Sequence, residues 1–458
     1  AVISDDRAAG RTGMGAVLGW KNVKAIAVCG NHDTPVHDPS ATKKWCQKWF
    51  RYLRNHPLTG NQLPRMGTAG LVSSMQMRGL LATKNYTEGR FEHFDKVNGE
   101  TLAEEYNIVN KGCLSCPIKC ARTVTVEGED VKGPELETLG LLGGGILNKD
   151  LYHILKWNKE LDDLGLDTIS ASNTLAYAME ANERGLWNNG LKFGDIEGIS
   201  KIWDDIAYRR GIGNELAEGS KRLSEKYGGK EFAMQSKGLE LAAYEPRRAV
   251  GQGLGYAVSN RGGCHLNGGY LVILEGLGLN IDAQTPHSKA DFTMMFQDLM
   301  EMISATGQCL FTSYAFFPGF LITRPNGAIA TAANKLLPHL GWAIRLMNKF
   351  PRVLAFPLPV FHHTKMMQKA VGMPMTFGKY LQTGERGFNL ERAVNVRFGV
   401  SAAKDSLPKR LTDVPQDPND PRTRVPLEQM KKIYYQARGW DKSGIPTCRT
   451  LKKLKIAR

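Results

Sequence analysis

Three thiols stand close together in Cys113-Leu-Ser-Cys116-Pro-Ile-Lys-Cys120, with Gly112 before the first and Pro117 after the second. One loop with this spacing can turn three sulfurs toward a single point. A cubane iron–sulfur cluster needs that arrangement, with its fourth ligand coming from elsewhere in the chain. The other cysteines are Cys29, Cys46, Cys264, Cys309 and Cys448. Cys309 is the best placed, because Thr306-Gly307-Gln308-Cys309 sets it on a glycine turn after a predicted helix, where backbone amides can face a sulfur. Two blander readings compete. A structural zinc site would use the same thiols, but zinc usually draws on two paired knuckles, and no second Cys-x2-Cys is present. A disulfide is the other. The spacing favours a [4Fe–4S] cluster.

The second group of candidates is acidic. In Gly133-Pro134-Glu135-Leu136-Glu137-Thr138, proline followed by acids marks a helix start, which accounts for one glutamate. Carboxylates two apart do not share a helix face, so one is free to enter a pocket as an acid or base. Asp167 fits the N-cap of a helix over 168–184, and Gly165 the C-cap of the helix before it. Asp162 lies at the unfavourable end of a helix dipole. A ligand with several N–H donors, such as a pterin ring, would explain it, because a carboxylate only accepts. His265 follows Arg261-Gly262-Gly263-Cys264 in a segment without core periodicity. A functional histidine is the better reading there, and a structural one the alternative.

Around these residues the chain reads as mainly helical. Helical patterns cover 41–55, part of 68–81, 151–161, 168–184, 199–211, 215–227, 291–305, 328–350, 386–397 and 427–438, with Gly211 to Gly213 separating two of them. Thr123 to Glu127 alternates like a strand, and Lys24-Ala-Ile-Ala-Val-Cys29 reads as a short buried strand. The small-residue run Arg7 to Gly19 precedes that strand, whereas a dinucleotide fingerprint would follow one. Composition shifts near residues 37 and 237 divide the chain into 1–36, 37–236 and 237–458.

With 458 residues, 42% hydrophobic and 23% charged, the chain is ordinary globular material with a large core. No uninterrupted apolar stretch of about 18 residues is present. The nearest, 340–361, is broken by Arg345, Lys349, Pro351, Arg352, Pro357 and Pro359. Eight cysteines, three of them clustered, suit a reducing compartment, and the cytoplasm is the expectation. The formal charge of +15 suits an acidic partner. No aromatic-interleaved basic run of the nucleic-acid-binding kind is present.

In order along the chain, these segments resemble the tungsten-containing aldehyde:ferredoxin oxidoreductase family. The resemblance rests on Gly10-Arg-Thr-Gly-Met-Gly-Ala-Val-Leu-Gly19, the three-cysteine loop, Gly133-Pro-Glu-Leu-Glu-Thr138 and Asp162-x-x-Gly-Leu-Asp167. It continues through Arg261-Gly-Gly-Cys-His265, Gly307-Gln-Cys309, Phe388-Asn-Leu-Glu-Arg-Ala-Val-Asn-Val-Arg397 and Gly439-Trp-Asp-Lys-Ser-Gly-Ile-Pro-Thr447. It implies two helical domains preceded by a remnant of a β-rich N-terminal domain over 1–36. It also implies tungsten (or molybdenum) on two pterins, with a [4Fe–4S] cluster held by Cys113, Cys116, Cys120 and Cys309, and Mg bridging the pterin phosphates. Arg7, Ala8, Gly10 and Arg11 would border the pterins on one side, Asp162, Gly165, Leu166 and Asp167 on another, and Gly307 and Gln308 on a third. Glu137, ahead of Glu135, would pair with His265 as acid and base beside the metal.

Two departures stand out. The family has Asp and Leu where this chain has Ser304 and Gln308, so contacts to the second pterin are expected to differ. Its β-rich domain also runs well ahead of the Arg7 loop, so the rest of that domain is expected from a longer chain or another polypeptide. The implied activity is oxidation of a small aldehyde to a carboxylic acid. Electrons would pass to ferredoxin or an iron–sulfur subunit, in a homodimer or hetero-oligomer. A low-potential reductase of the benzoyl-CoA reductase type and a non-catalytic iron–sulfur subunit are the alternatives.

Overall fold

The computed structural model describes residues 1–4, 7–106, 108–277, 279, 281–350 and 361–456. Part of the interrupted apolar stretch 340–361 therefore lies outside the described residues. Helices dominate, and side-chain caps set the starts of several. Asp38 accepts from the Ala41 amide at the start of Pro39–Asn55, Asp150 from His153 at Leu151–Asp163, and Asp167 from Ser170 at Thr168–Glu183. Gly165 takes φ +68° where the Leu151–Asp163 helix stops, as a left-handed C-terminal residue must. Among the described residues, no helix is long and apolar enough to cross a membrane.

Two helical groups position the candidate residues. In one, Leu136–Leu142 packs on Thr168–Glu183 and Leu151–Asp163, with Gly219–Tyr227 against Thr168–Glu183. In the other, Lys289–Ala305 packs on Phe377–Arg397, Leu427–Arg438, Gly341–Lys349 and Val250–Val258. The largest apolar core runs from Leu63 to Leu411 and includes Trp157 and Trp203, both fully buried. A three-stranded antiparallel sheet, Val109–Lys111, Ala121–Val126 and Glu129–Lys132, lies beside the first group. Its pairing of Lys111 with Ala121 closes the base of the cysteine loop.

Several expectations are corrected. Residues 24–29 form no strand: Ile26 and Val28 are 76% and 91% exposed. A strand needs a hydrogen-bonded neighbour, and no described residues pair with this run. The ordered β structure near the beginning is instead the pair Val2–Ser4 and Arg7–Ala9. Gly211 to Gly213 opens a helix, Gly211–Leu216, because Gly213 packs against the Asp205 backbone, where a Cβ would come within 2.2 Å. The helix expected from Arg386 begins at Phe377, capped by Thr376, whose side chain accepts from Lys379. A closing helix, Cys448–Lys453, has no counterpart in the sequence reading.

The second group is held by buried charge. Arg392 and Asp405, both fully buried, are joined by two bonds of 2.9 and 2.7 Å. Lys237 lies 2.8 Å from Asp405, and the Tyr435 hydroxyl donates to it at 2.6 Å. Burial by itself raises the Asp405 pKa, but Lys237 and Arg392 hold it below the ordinary carboxylate value. Its stabilising contribution is therefore present above about pH 4 and fades as pH falls through the depressed value. Asp405→Asn leaves two buried cations uncompensated and should cost roughly 3–5 kcal/mol in chemical denaturation near pH 7. The gap from the unsubstituted protein should narrow below about pH 4. A loss under about 1 kcal/mol at neutral pH would show that the network carries little.

Candidate active site

The three-cysteine loop connects two sheet strands and turns tightly within itself. The Cys116 amide donates to the Cys113 carbonyl at 3.0 Å, and Ser115 and Lys119 take left-handed φ of +58° and +51°. Arg122 donates to the Cys120 carbonyl, while its other terminal nitrogen is buried without a hydrogen-bond partner among the described residues. Cys309 arrives from the far side. The Lys289–Ala305 helix ends at Thr306, Gly307 turns at φ +66°, and the amides of Phe311 and Thr312 point at the Cys309 sulfur.

The four thiols share one electrostatic neighbourhood. Burial pushes Cys120 up to about 12, and Glu135, Cys309 and Cys116 add to the rise while Arg7 opposes it. Desolvation also raises Cys309, against the two amides and with Cys116 and Cys113. Thiolates gathered this way repel one another unless cations sit among them, so the donor set fits a cationic iron–sulfur cluster. All eight cysteines are free, which removes the disulfide reading. Among the described residues, no three His, Cys, Asp or Glu side chains converge on one metal ion. A four-iron cluster spreads its thiolates more widely than that.

Glu135 and Glu137 diverge as their spacing requires. Glu135 accepts from the Thr68 hydroxyl at 2.5 Å, and Thr68 accepts in turn from the Leu136 amide at 3.0 Å. Glu137 turns inward. Its Oε1 lies 3.2 Å from His265 Nε2 and accepts from the Tyr244 hydroxyl at 3.1 Å. Tyr244 lies 3.1 Å from the Tyr270 hydroxyl, to which Tyr314 donates at 2.9 Å. These four side chains thus form an unbroken run of hydroxyls ending on a carboxylate.

Electrostatics separate the pair. Burial raises the Glu137 pKa, although its own backbone amide, Tyr244 and Arg11 pull it down. Burial drives His265 down to about 3, reinforced by Arg11 and Arg261 and opposed by Asp167. His265 is therefore neutral near pH 7, and its 3.2 Å approach to Glu137 is a contact of a neutral imidazole with a carboxyl group rather than an ion pair. If Nε2 carries the proton toward Glu137, Nδ1 is a bare acceptor, and it is buried with no partner among the described residues. That orphaned atom has room in its chemistry for a donor from water or substrate.

The remaining candidates take varied positions. Arg11 spends its nitrogens on Asp167 Oδ2 at 3.3 Å, the Gly263 carbonyl at 3.2 Å and the Glu240 carbonyl, so it clamps three segments together. Gly10 lies against Asp167, where a Cβ would come within 3.4 Å of Oδ1. Arg7 and Ala8 are exposed on the short N-terminal strand, and Leu166 packs on the core. Asp162 has a partner the sequence did not show, Lys132 Nζ at 3.3 Å. Gln308 bridges the Tyr380 hydroxyl, at 2.6 Å, and the His363 carbonyl, at 3.3 Å.

Sequence reasoning missed Tyr244, Tyr270, Tyr314, Arg122 and Lys132. Tyr244 opens the segment Tyr-Glu-Pro-Arg-Arg, but tyrosine at a core position looks the same whether or not its hydroxyl serves a site.

Comparison with known proteins bears on the family and the fold. The family model described as "Aldehyde ferredoxin oxidoreductase, domains 2 & 3" matches residues 44–456. The tungsten-containing aldehyde ferredoxin oxidoreductase of Thermococcus kodakarensis is 37% identical over 97% of this chain and 69% of its own length. The Pyrococcus furiosus protein of the same name is 37% identical over 100% and 71%. Among solved structures, the active-site complex BamBC of benzoyl coenzyme A reductase with 1,5-dienoyl-CoA shares the fold. Its TM-score is 0.69 at 20% identity, over 97% of this chain and 69% of that one. The chain belongs to the aldehyde ferredoxin oxidoreductase family and is an oxidoreductase of that type.

Proposed function

We propose that this chain oxidises an aldehyde to a carboxylic acid on a tungsten (or molybdenum) bis-pterin centre and passes the electrons through a [4Fe–4S] cluster to ferredoxin or a partner subunit. The observation that carries this reading is the buried Glu137–His265 contact, with its hydroxyl run, close to four gathered thiols. Cys113, Cys116, Cys120 and Cys309 would hold the cluster. Arg7, Ala8, Gly10, Arg11, Asp162, Gly165, Leu166, Asp167, Gly307 and Gln308 would border the pterins, with Mg between their phosphates. Segments 37–236 and 237–458 then act as two domains, one bearing the loop thiols and Glu137, the other His265 and Cys309. When bound, the pterin metal supplies two-electron oxidation chemistry and the cluster one-electron relay.

The chain's own residues manage the protons. Oxidation of an aldehyde with water releases two protons with its two electrons. Glu137 is a carboxylate with a raised pKa in a buried site, suited to taking a proton from water. His265 Nδ1 accepts from the same water or from a substrate hydroxyl and orients it. A proton taken up by Glu137 can move along the run, because Tyr244, Tyr270 and Tyr314 can each pass one proton on as they accept another.

Glu137→Gln and His265→Ala should each lower aldehyde-dependent dye reduction by about 10²–10⁴-fold while leaving the iron content intact. Normal turnover in both would remove the acid–base assignment. The acid limb of kcat/KM should lie above the usual glutamate range, because activity falls as Glu137 is protonated at its raised pKa, and it should vanish in Glu137→Gln. His265 titrates near 3 and should leave no limb between pH 5 and 8.

Anaerobically purified protein should contain about four iron and one tungsten or molybdenum per chain, and Cys309→Ser should lower the iron. Iron alone would point to a relay subunit. Thioester-dependent activity without aldehyde oxidation would point to the benzoyl-CoA type.

A further inference from the structure

The outer face of the Pro39–Asn55 helix carries Lys43, Lys44, Lys48, Arg51 and Arg54, all exposed, and the helix contains no acid. None of these five forms an ion pair among the described residues. Lys48 rests 5.0 Å over the Trp45 ring. The helix packs on His362–Val371, which adds Lys365 and Lys369 and also lacks acids. Seven cations on two adjoining helices with no carboxylate are more than solubility requires. Exposed Lys and Arg elsewhere on this protein occur both paired, as Arg210 is with Asp204, and without an ion pair among the described residues, as with Lys192 and Lys230; what distinguishes this face is five cations on one helix that contains no acid.

Beneath this face lies an aromatic layer leading to Cys309. Trp49 meets His363 edge-on at 4.9 Å and stacks on His362 at 5.7 Å, with Trp45 and Tyr52 alongside at 5.3 and 5.2 Å from His362. His363 Nε2 is 2.8 Å from the Thr312 hydroxyl, which donates to the Cys309 carbonyl at 2.5 Å. The Gln308 side chain donates to the His363 carbonyl. Two side chains therefore separate the Cys309 turn from the basic helix. Short, packed paths of this kind are what electron exchange between proteins demands.

We propose that the paired helices Pro39–Asn55 and His362–Val371 are the docking surface for an acidic one-electron carrier protein, with His363 and Trp49 lying between that surface and Cys309. This rests on the proposed function, in which electrons leave by way of the cysteine cluster. Each encounter moves one electron from this protein to an oxidised carrier, so one aldehyde oxidised reduces two carriers. Clustered positive charge raises the encounter rate with an acidic partner, and that gain falls with salt.

The test uses the holoenzyme and an oxidised acidic [4Fe–4S] ferredoxin as probe. The four-fold variant Lys43→Glu, Lys44→Glu, Lys48→Glu, Arg51→Glu should lower ferredoxin-linked kcat/KM about 10–100-fold and flatten its salt dependence. Aldehyde-dependent reduction of a viologen dye should stay within about twofold of the unsubstituted enzyme. Unchanged ferredoxin kinetics and salt dependence overturn the proposal. So does a variant whose oligomeric state changes while its ferredoxin kinetics do not, since the face would then be a contact with another copy or subunit. Absence of aldehyde-dependent dye reduction in the unsubstituted enzyme would defeat the proposed function alone. In that case calorimetric binding of ferredoxin at low salt, weakened in the variant, still decides the docking surface.

Discussion

The thiol at position 309 lies in one electrostatic neighbourhood with three thiols from positions 113 to 120, and much of the architecture brings them together there. Three of the sulfurs sit on a hairpin connection closed by the Lys111–Ala121 pairing. The fourth sits at the end of a 17-residue helix whose own position is fixed by packing against four other helices. Mutual repulsion would drive these thiolates apart if the loops were soft. Arg122 on one side and the Phe311 and Thr312 amides on the other supply positive counterparts before any cluster is present.

The same two helical groups that deliver the thiols deliver Glu137 and His265. Glu137 comes from the first turn of Leu136–Leu142 and His265 from the loop after Val250–Val258. Arg11 ties the Asp167 cap to the Gly263 and Glu240 carbonyls, so it fixes their separation and also biases both titrations. One guanidinium thereby couples the architecture of the pocket to its chemistry. The buried Arg392–Asp405 and Arg438–Asp298 pairs hold the second group rigid behind it.

What could be read in the sequence was local. The cysteine spacing, the Asp167 cap, the Gly165 stop and the divergence of Glu135 from Glu137 each follow from a few consecutive residues, and each appears in the structure. Pairings across the chain were carried by the family resemblance. The tyrosine run could not be read, because Tyr244, Tyr270 and Tyr314 meet only through tertiary packing. Asp162 was read without Lys132, thirty residues away, for the same reason. Residues 24–29 failed in the opposite direction: an apolar run says what a segment prefers, and a strand also needs a neighbour.

Gln308 occupies a position where the resemblance leads one to expect leucine. Its amide clasps Tyr380 and the His363 carbonyl and so pins the turn that presents Cys309. Cys113 lies exposed on its loop, whereas the Cys309 thiol, on a residue that is itself exposed, is desolvated by its surroundings. The turn that presents Cys309 is therefore held by the chain's own side chains, whether or not anything is bound to the thiol.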